Sequence, residues 1–246
     1  DISAAAGPVM AQVDCQHRLG HLSDLDLELP FMCFVGLSDR EEMEVFNTIN
    51  SKAKGLSPSL LDFHDAQLTA DLAGDRPELF IALLLRNEPS SPWYQQLDIG
   101  GERTSGMTRR ASLRTVQKAV KLFIARANLA STHSSDALAQ IVLEFWQAIA
   151  LTLREQWAQP RKHFLTKGIG VYALMELAAD FCNECHDPRL LNKRHFCAVL
   201  DDFAPQFDWS SAGPLKGLGG ESGVSKAVGL IRDARSRARM RLVANG

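Results

Sequence analysis

From Ser112 onward, apolar residues recur at the spacing of an α-helix, and this limits the carboxyl half of the chain to a largely helical fold. Val116, Ala119, Val120 and Phe123 share one face. Ile141, Phe145, Ala148, Ile149 and Thr152 continue the pattern in a long helix that Ser135 or Asp136 is placed to cap. Leu174, Leu177, Ala178, Phe181, Cys182 and Cys185 form a further stripe. An apolar stripe of this width must be buried against another element, so these residues are expected in a core.

The 246 residues, 46% hydrophobic and 23% charged, permit one large domain or two smaller ones with sizeable cores. A formal net charge of −2 gives no overall attraction to polyanions. No uninterrupted apolar stretch reaches membrane-spanning length and no signal-peptide pattern opens the chain, so no membrane partner is expected. The five cysteines, an odd number scattered among apolar helices, argue against a disulfide framework and for a reducing compartment, with the cytoplasm as default. Cys182-Asn183-Glu184-Cys185-His186 has the c-type haem attachment spacing, but helical periodicity puts both thiols on a core stripe. Zinc bound by Cys182, Cys185, His186, His195 and Cys197 is disfavoured, because the second pair lacks a standard spacing.

The amino-terminal half mixes element types. Leu29 to Val35 reads as a buried strand ended by Gly36-Leu37. Ser38 and Glu41 have capping-box spacing, and a helix with Met43, Phe46 and Ile49 on its apolar side runs to about Asn50. Ser57-Pro58 opens a second helix with Leu60, Leu61 and Leu68 inward. Arg76 to Arg86 reads as a short helix or buried segment, broken by Asn87 to Pro92, and Trp93 to Met107 as extended or hairpin-like.

The chemical focus is Asp14-Cys15-Gln16-His17-Arg18, which gathers an anion, a thiol, an amide, an imidazole and a guanidinium. With Leu19, the Pro30 to Leu37 run, Glu42, Glu44, Phe46, Ile49-Asn50, Lys54, Ser57 and Leu60, it resembles the DGQHR-domain (DndB-like) family of bacterial DNA-modification systems. Cys15 stands where that family usually has glycine, which bears on any role needing positive φ or close backbone approach. A thiol beside His17 and Arg18 is also a candidate nucleophile.

The resemblance implies a relation to the ParB and sulfiredoxin superfamily, and with it an α+β architecture: residues 1–105 as a ParB/sulfiredoxin-like α/β domain, lacking the strands that precede the signature, then residues 106–246 as a helical domain with a basic final helix. It also implies nucleoside triphosphate binding, with ATP and magnesium as cofactors and hydrolysis in the enzymatic version. Arg18 and His17 would bind phosphate beside Gln16, Asp14 would orient them or a magnesium ion, and Asn50 or Lys54 would complete the pocket. Partners would be DNA and other proteins of the modification system, phosphorothioation or 7-deazaguanine type; self-association is left open.

Two basic faces could take a phosphate backbone: Arg110, Arg114, Lys118 and Lys121, and Arg232, Arg235, Arg237, Arg239 and Arg241. They carry the alternative reading, a non-catalytic DNA-binding repressor of a modification gene cluster. Two glycine-bearing segments, Gly217 to Lys226 and Thr166 to Gly170, each precede a helix; the first could cradle phosphate, although it is not a Walker motif.

Overall fold

The computed structural model describes residues 32–52, 57–100, 110–129 and 132–245. The chain divides into two units, Asp1–Leu56 and Ser57–Gly246.

In the first unit Ser38 caps helix α1, Asp39–Lys52, as its spacing predicts. The Ser38 backbone N–H and hydroxyl each donate to Glu41 Oε2 at 2.8 Å, while the Glu41 N–H donates to Ser38 Oγ at 3.4 Å. These bonds hold the Glu41 carboxyl below the usual glutamate range. Met43 and Phe46 are half-buried and Ile49 is exposed. The strand expected over Leu29 to Val35 does not form in its described part. Residues 32–37 belong to no strand, and Met32 and Val35 are 81% and 91% exposed. An isolated apolar run fits a strand but does not make one without a ladder partner to take its backbone groups.

The second unit is mostly helical with one small sheet, an α+β composition. Helix α2, Pro58–Leu68, starts at Ser57, whose hydroxyl accepts the Leu60 N–H at 3.2 Å. The short α3, Leu72–Asp75, leads into α4, Pro77–Asn87. Strand β1, Leu97–Asp98, then pairs in parallel with β2, Ala111–Ser112, setting Leu97 opposite Ala111 and Asp98 opposite Ser112. The extended or hairpin-like reading of Trp93 to Met107 falls partly outside the described residues; within them Leu97–Asp98 is extended and pairs with β2, beyond that stretch. At the end of β1, Gly100 takes φ +79°, and an added Cβ would lie 1.8 Å from Ser57 Oγ. Only glycine lets the sheet end pass so close to the α2 cap.

Ser112 caps α5, Leu113–Arg126, and Ser134 caps α6, Ser135–Thr152, one residue before the expected position. The chain continues through α7, Arg154–Ala158, α8, Gly168–Glu184, α9, Lys193–Asp201, and α10, Gly220–Asn245. Helix α8 packs against α5 and α10, α6 against α9, and α4 against both α5 and α6. The predicted stripes meet at one core: Val116, Ala119, Val120, Phe123, Phe145, Ala148, Ile149 and Leu174 are fully buried. Leu79, Ile81 and Leu85 of α4 belong to the same core. The expected division after residue 105 falls outside the described residues, and helices on either side of it share this core.

Gly170 sits where α8 leaves the preceding turn. A Cβ there would fall 1.8 Å from the Phe164 carbonyl oxygen, whereas one at Gly168 would meet only Thr115 Cγ2 at 3.9 Å. Gly170→Ala is therefore expected to destabilise the protein by about 1–3 kcal/mol in urea unfolding, the cost of overpacking against fixed backbone. Gly168→Ala, the control, should be neutral or slightly stabilising.

Candidate functional site

Asp14, Cys15, Gln16, His17, Arg18 and Lys54 lie outside the described residues. Asn50 falls in the last turn of α1. Helix α1 carries Glu42, Glu44 and Phe46.

The first basic face does not form a stripe. Lys118 and Lys121 are exposed, but Arg110 and Arg114 are drawn inward. The Arg110 guanidinium lies 4.9 Å from the centre of the Trp157 ring and donates to the Trp157 carbonyl. Trp157 in turn packs edge-on with Trp93 at 5.1 Å, and Trp93 edge-on with Trp146 at 4.9 Å. A desolvated cation–π contact of this kind is worth about 2 kcal/mol. The Arg110 Nε, Trp93 Nε1 and Trp146 Nε1 atoms are buried without a partner among the described residues. Arg110 thus anchors α7 over the sheet end, away from a phosphate backbone.

Arg114 donates to Asp62 Oδ1 at 2.5 Å and belongs to a polar network that periodicity did not suggest. Helix α2 turns Ser59, Asp62 and Ala66 inward, at i, i+3 and i+7, and leaves Leu60, Leu61 and Leu68 half-buried. The reason is the partner offered by α5: Ser59 Oγ accepts the Arg114 N–H at 3.2 Å while Asp62 takes its side chain. Gln117, with its amide turned to suit its neighbours, donates to Asp62 Oδ2 at 3.0 Å and accepts from Arg76 at 2.9 Å. Arg76 also donates to Glu78 at 3.0 Å and to Asp65. Burial pushes the Asp62 carboxyl above the usual aspartate range against the pull of Arg114 and Arg76. At Glu78 burial is outweighed by the Arg76 bond and charge, a backbone hydrogen bond and Gln117 together, and its carboxyl lies below the usual range. With every carboxylate bonded, the network clamps α2 to α4 and α5 and leaves no carboxylate unengaged for proton transfer.

On the second basic face, Arg232 forms a bidentate pair with Asp180 at 2.7 and 2.8 Å. Arg235, 6% exposed, forms another with Glu184 at 2.6 and 2.7 Å and lies 4.4 Å from the Phe181 ring centre. Arg239 adds a third bond to Glu184 at 2.9 Å. Asp180 and Glu184 stand one turn apart on α8, and Glu176, one turn earlier, accepts from Arg126 of α5 at 2.7 Å. Arg232, Arg235 and Arg239 therefore hold α10 to α8, and only Arg237 and Arg241 of this cluster have no ion-pair partner among the described residues. The acidic residues at 176, 180 and 184 were a legible signal: carboxylates every fourth position along an otherwise apolar helix call for cations on its neighbours.

Of the described cysteines, Cys182 lies in the core, Cys185 and Cys197 are half-buried against it and Cys33 is exposed. Cys182 is buried, and burial pushes its thiol up to about 12, a protonated and unreactive state at neutral pH. Among the described residues no group of three or more His, Cys, Asp or Glu is arranged to hold a metal ion. In the Gly217 to Lys226 segment, Ser225 Oγ donates to the Glu221 carbonyl and Glu221 occupies the first turn of α10. A carboxylate there already meets the positive end of the helix dipole. No described helix is long and apolar enough to cross a membrane.

Removing either partner of these pairs has a distinct pH signature. Arg114→Ala leaves Asp62 buried and unpaired and should cost about 1–3 kcal/mol at neutral pH. Because the Asp62 pKa is raised, that deficit should shrink as pH falls through a window above the ordinary aspartate range, where protonation removes the buried charge. Glu184 is the opposite case. Burial raises its pKa, but the Arg235 and Arg239 bonds outweigh burial and depress it. Its stabilisation is present above the ordinary glutamate pKa and is lost as pH falls through the depressed value. Thermal unfolding from neutral to acid pH should therefore show Glu184→Gln less stable than the parent at neutral pH and converging with it at the acid end.

No family model, no curated protein and no solved structure matches this chain.

Proposed function

We propose that the chain is a DGQHR-type accessory protein of a bacterial DNA-modification system, of the phosphorothioation or 7-deazaguanine kind, that binds a nucleoside triphosphate through Asp14 to Arg18. The observation that carries this reading is one of order and spacing. The signature is followed by a capping-box helix bearing Glu42, Glu44, Phe46 and Asn50, and then by the Ser57-Pro58 helix start. These residues resemble the family's acidic helix, its F-x-x-I-N segment and the K…S…L that follows, and that resemblance supports an amino-terminal domain of ParB/sulfiredoxin-like arrangement.

In this reading Arg18 presents its planar fork to phosphate oxygens, and His17 donates alongside it. Asp14 holds either side chain in position or shares a magnesium ion, whose role would be to neutralise phosphate charge. Asn50, at the end of α1, and Lys54 close the phosphate side of the pocket. Cys15 in place of glycine keeps the backbone from a close approach to the ligand, so side chains carry the recognition.

The decisive measurement is calorimetric titration of ATP with magnesium into the parent and Arg18→Ala, with phosphate release followed in parallel. Binding by the parent and its loss by tenfold or more in Arg18→Ala is expected, since a bidentate guanidinium–phosphate contact is worth about 1.5–3 kcal/mol. A folded parent that binds no nucleoside triphosphate overturns the reading. DNA binding that falls steeply with salt and is unchanged by Arg18→Ala would replace it with the non-catalytic repressor.

A further inference from the structure

Arg237 and Arg241 set α10 apart from an ordinary docked helix. Its other three arginines of this region are matched to carboxylates of α8, whereas these two, one turn apart, have no ion-pair partner among the described residues. Both are exposed, and both line a cleft of about 320 Å³ between α10 and the segment 203–214. Half-buried Phe207 and exposed Pro214 give the cleft an apolar side, and exposed Gln206 and Asp208 add polar groups. Asp208 makes no ion pair with either arginine. Its carboxylate accepts the Ser210 N–H at 2.9 Å, and the Ser210 bonds, with His163 nearby, hold it below the usual aspartate range.

We propose that this cleft is a second, separate binding site that takes a nucleotide unit, its ring against Phe207 and Pro214 and its phosphate between Arg237 and Arg241. Two guanidiniums on one helical side match the charge of a phosphate and can each bond two of its oxygens. The volume lies in the range of small-ligand pockets. The Gln206 amide and the Asp208 carboxylate offer a donor and acceptors to the polar edge of a heterocyclic ring, which a fatty acid or a simple aromatic acid would leave unused. A free mononucleotide and one nucleotide of a DNA single strand share this chemistry.

The site is independent of the signature loop, and the test keeps them apart by using Arg18→Ala as the background. AMP and a short single-stranded oligodeoxynucleotide without terminal phosphate are titrated into that protein, into Arg237→Gln/Arg241→Gln, and into Ala234→Leu, which fills the cleft without changing charge. At least one probe should bind, and both variants should weaken it by about tenfold or more while melting like the parent. Binding of AMP assigns the site to free nucleotide, and binding of the oligonucleotide alone assigns it to a DNA strand. The proposal is overturned if neither probe binds or if the double variant binds as the parent does. It is equally overturned if Ala234→Leu binds unchanged, which reduces the attraction to surface charge, or if inorganic phosphate competes as well as the nucleotide.

Discussion

Helix α8 is the element on which the second unit is assembled. It is buried from Gly170 to Cys182 with only Tyr172 and Asp180 part-exposed, and Glu176, Asp180 and Glu184 run along one side at four-residue intervals. Apolar burial supplies the larger share of stabilisation but is indifferent to small rotations of one helix on another. The carboxylates remove that indifference. Arg126 of α5 docks at Glu176, while Arg232, Arg235 and Arg239 of α10 dock at Asp180 and Glu184. Glu176 is 4% exposed and Arg235 6%, so each of these two groups would be a costly unpaired charge in any other register. The pairs specify the packing more than they add to its strength.

A second polar clamp works the same way at the other end of α5. Asp62, Glu78 and Gln117 are each at most 7% exposed, and they join α2, α4 and α5 through Arg76 and Arg114. Asn183 adds a link of a different kind: its side chain accepts the Asn128 N–H at 2.8 Å and donates to the Arg126 carbonyl at 3.0 Å, so the end of α8 caps the end of α5. Helix α5 is thus fixed at one end by a buried ion network and at the other by a backbone cap. Between them its apolar face, Val116, Ala119, Val120 and Phe123, is fully buried.

Legibility in the sequence followed the range of the interaction. Helix starts depend on a few neighbouring residues, and Ser38 with Glu41, Ser57 with Pro58, and Ser112 marked their helices within a residue. Apolar stripes depend on periodicity alone, and those of α5, α6 and α8 were readable for the same reason. The failures involve distant partners. Leu60 and Leu61 gave way to Ser59 and Asp62 because Arg114, some fifty residues on, offered Asp62 a counter-charge at |i−j| = 52. The parallel pairing of β1 and β2 was hidden by their two-residue length, too short for any alternation to register. For the candidate sites, residue types pointed to the chemistry, but only the fold separates an arginine used as internal glue from one left to a ligand.

That separation changes how the charge of this chain is understood. A formal net charge of −2 looks too small to organise anything, yet the charged residues of α8 are all acidic and those of α10 mostly basic, and much of that contrast is spent between the two helices. Arg110 and Arg114, which sequence spacing grouped with Lys118 and Lys121, are likewise consumed, one by a tryptophan ring and a carbonyl, the other by Asp62. A cation already matched at short range gains little from a phosphate, because moving to it breaks one charge-assisted bond to make another. Recognition of anions by the second unit therefore rests on cations the fold leaves unmatched, and on α10 these include Arg237 and Arg241, beside a cleft rather than on a flat helical face.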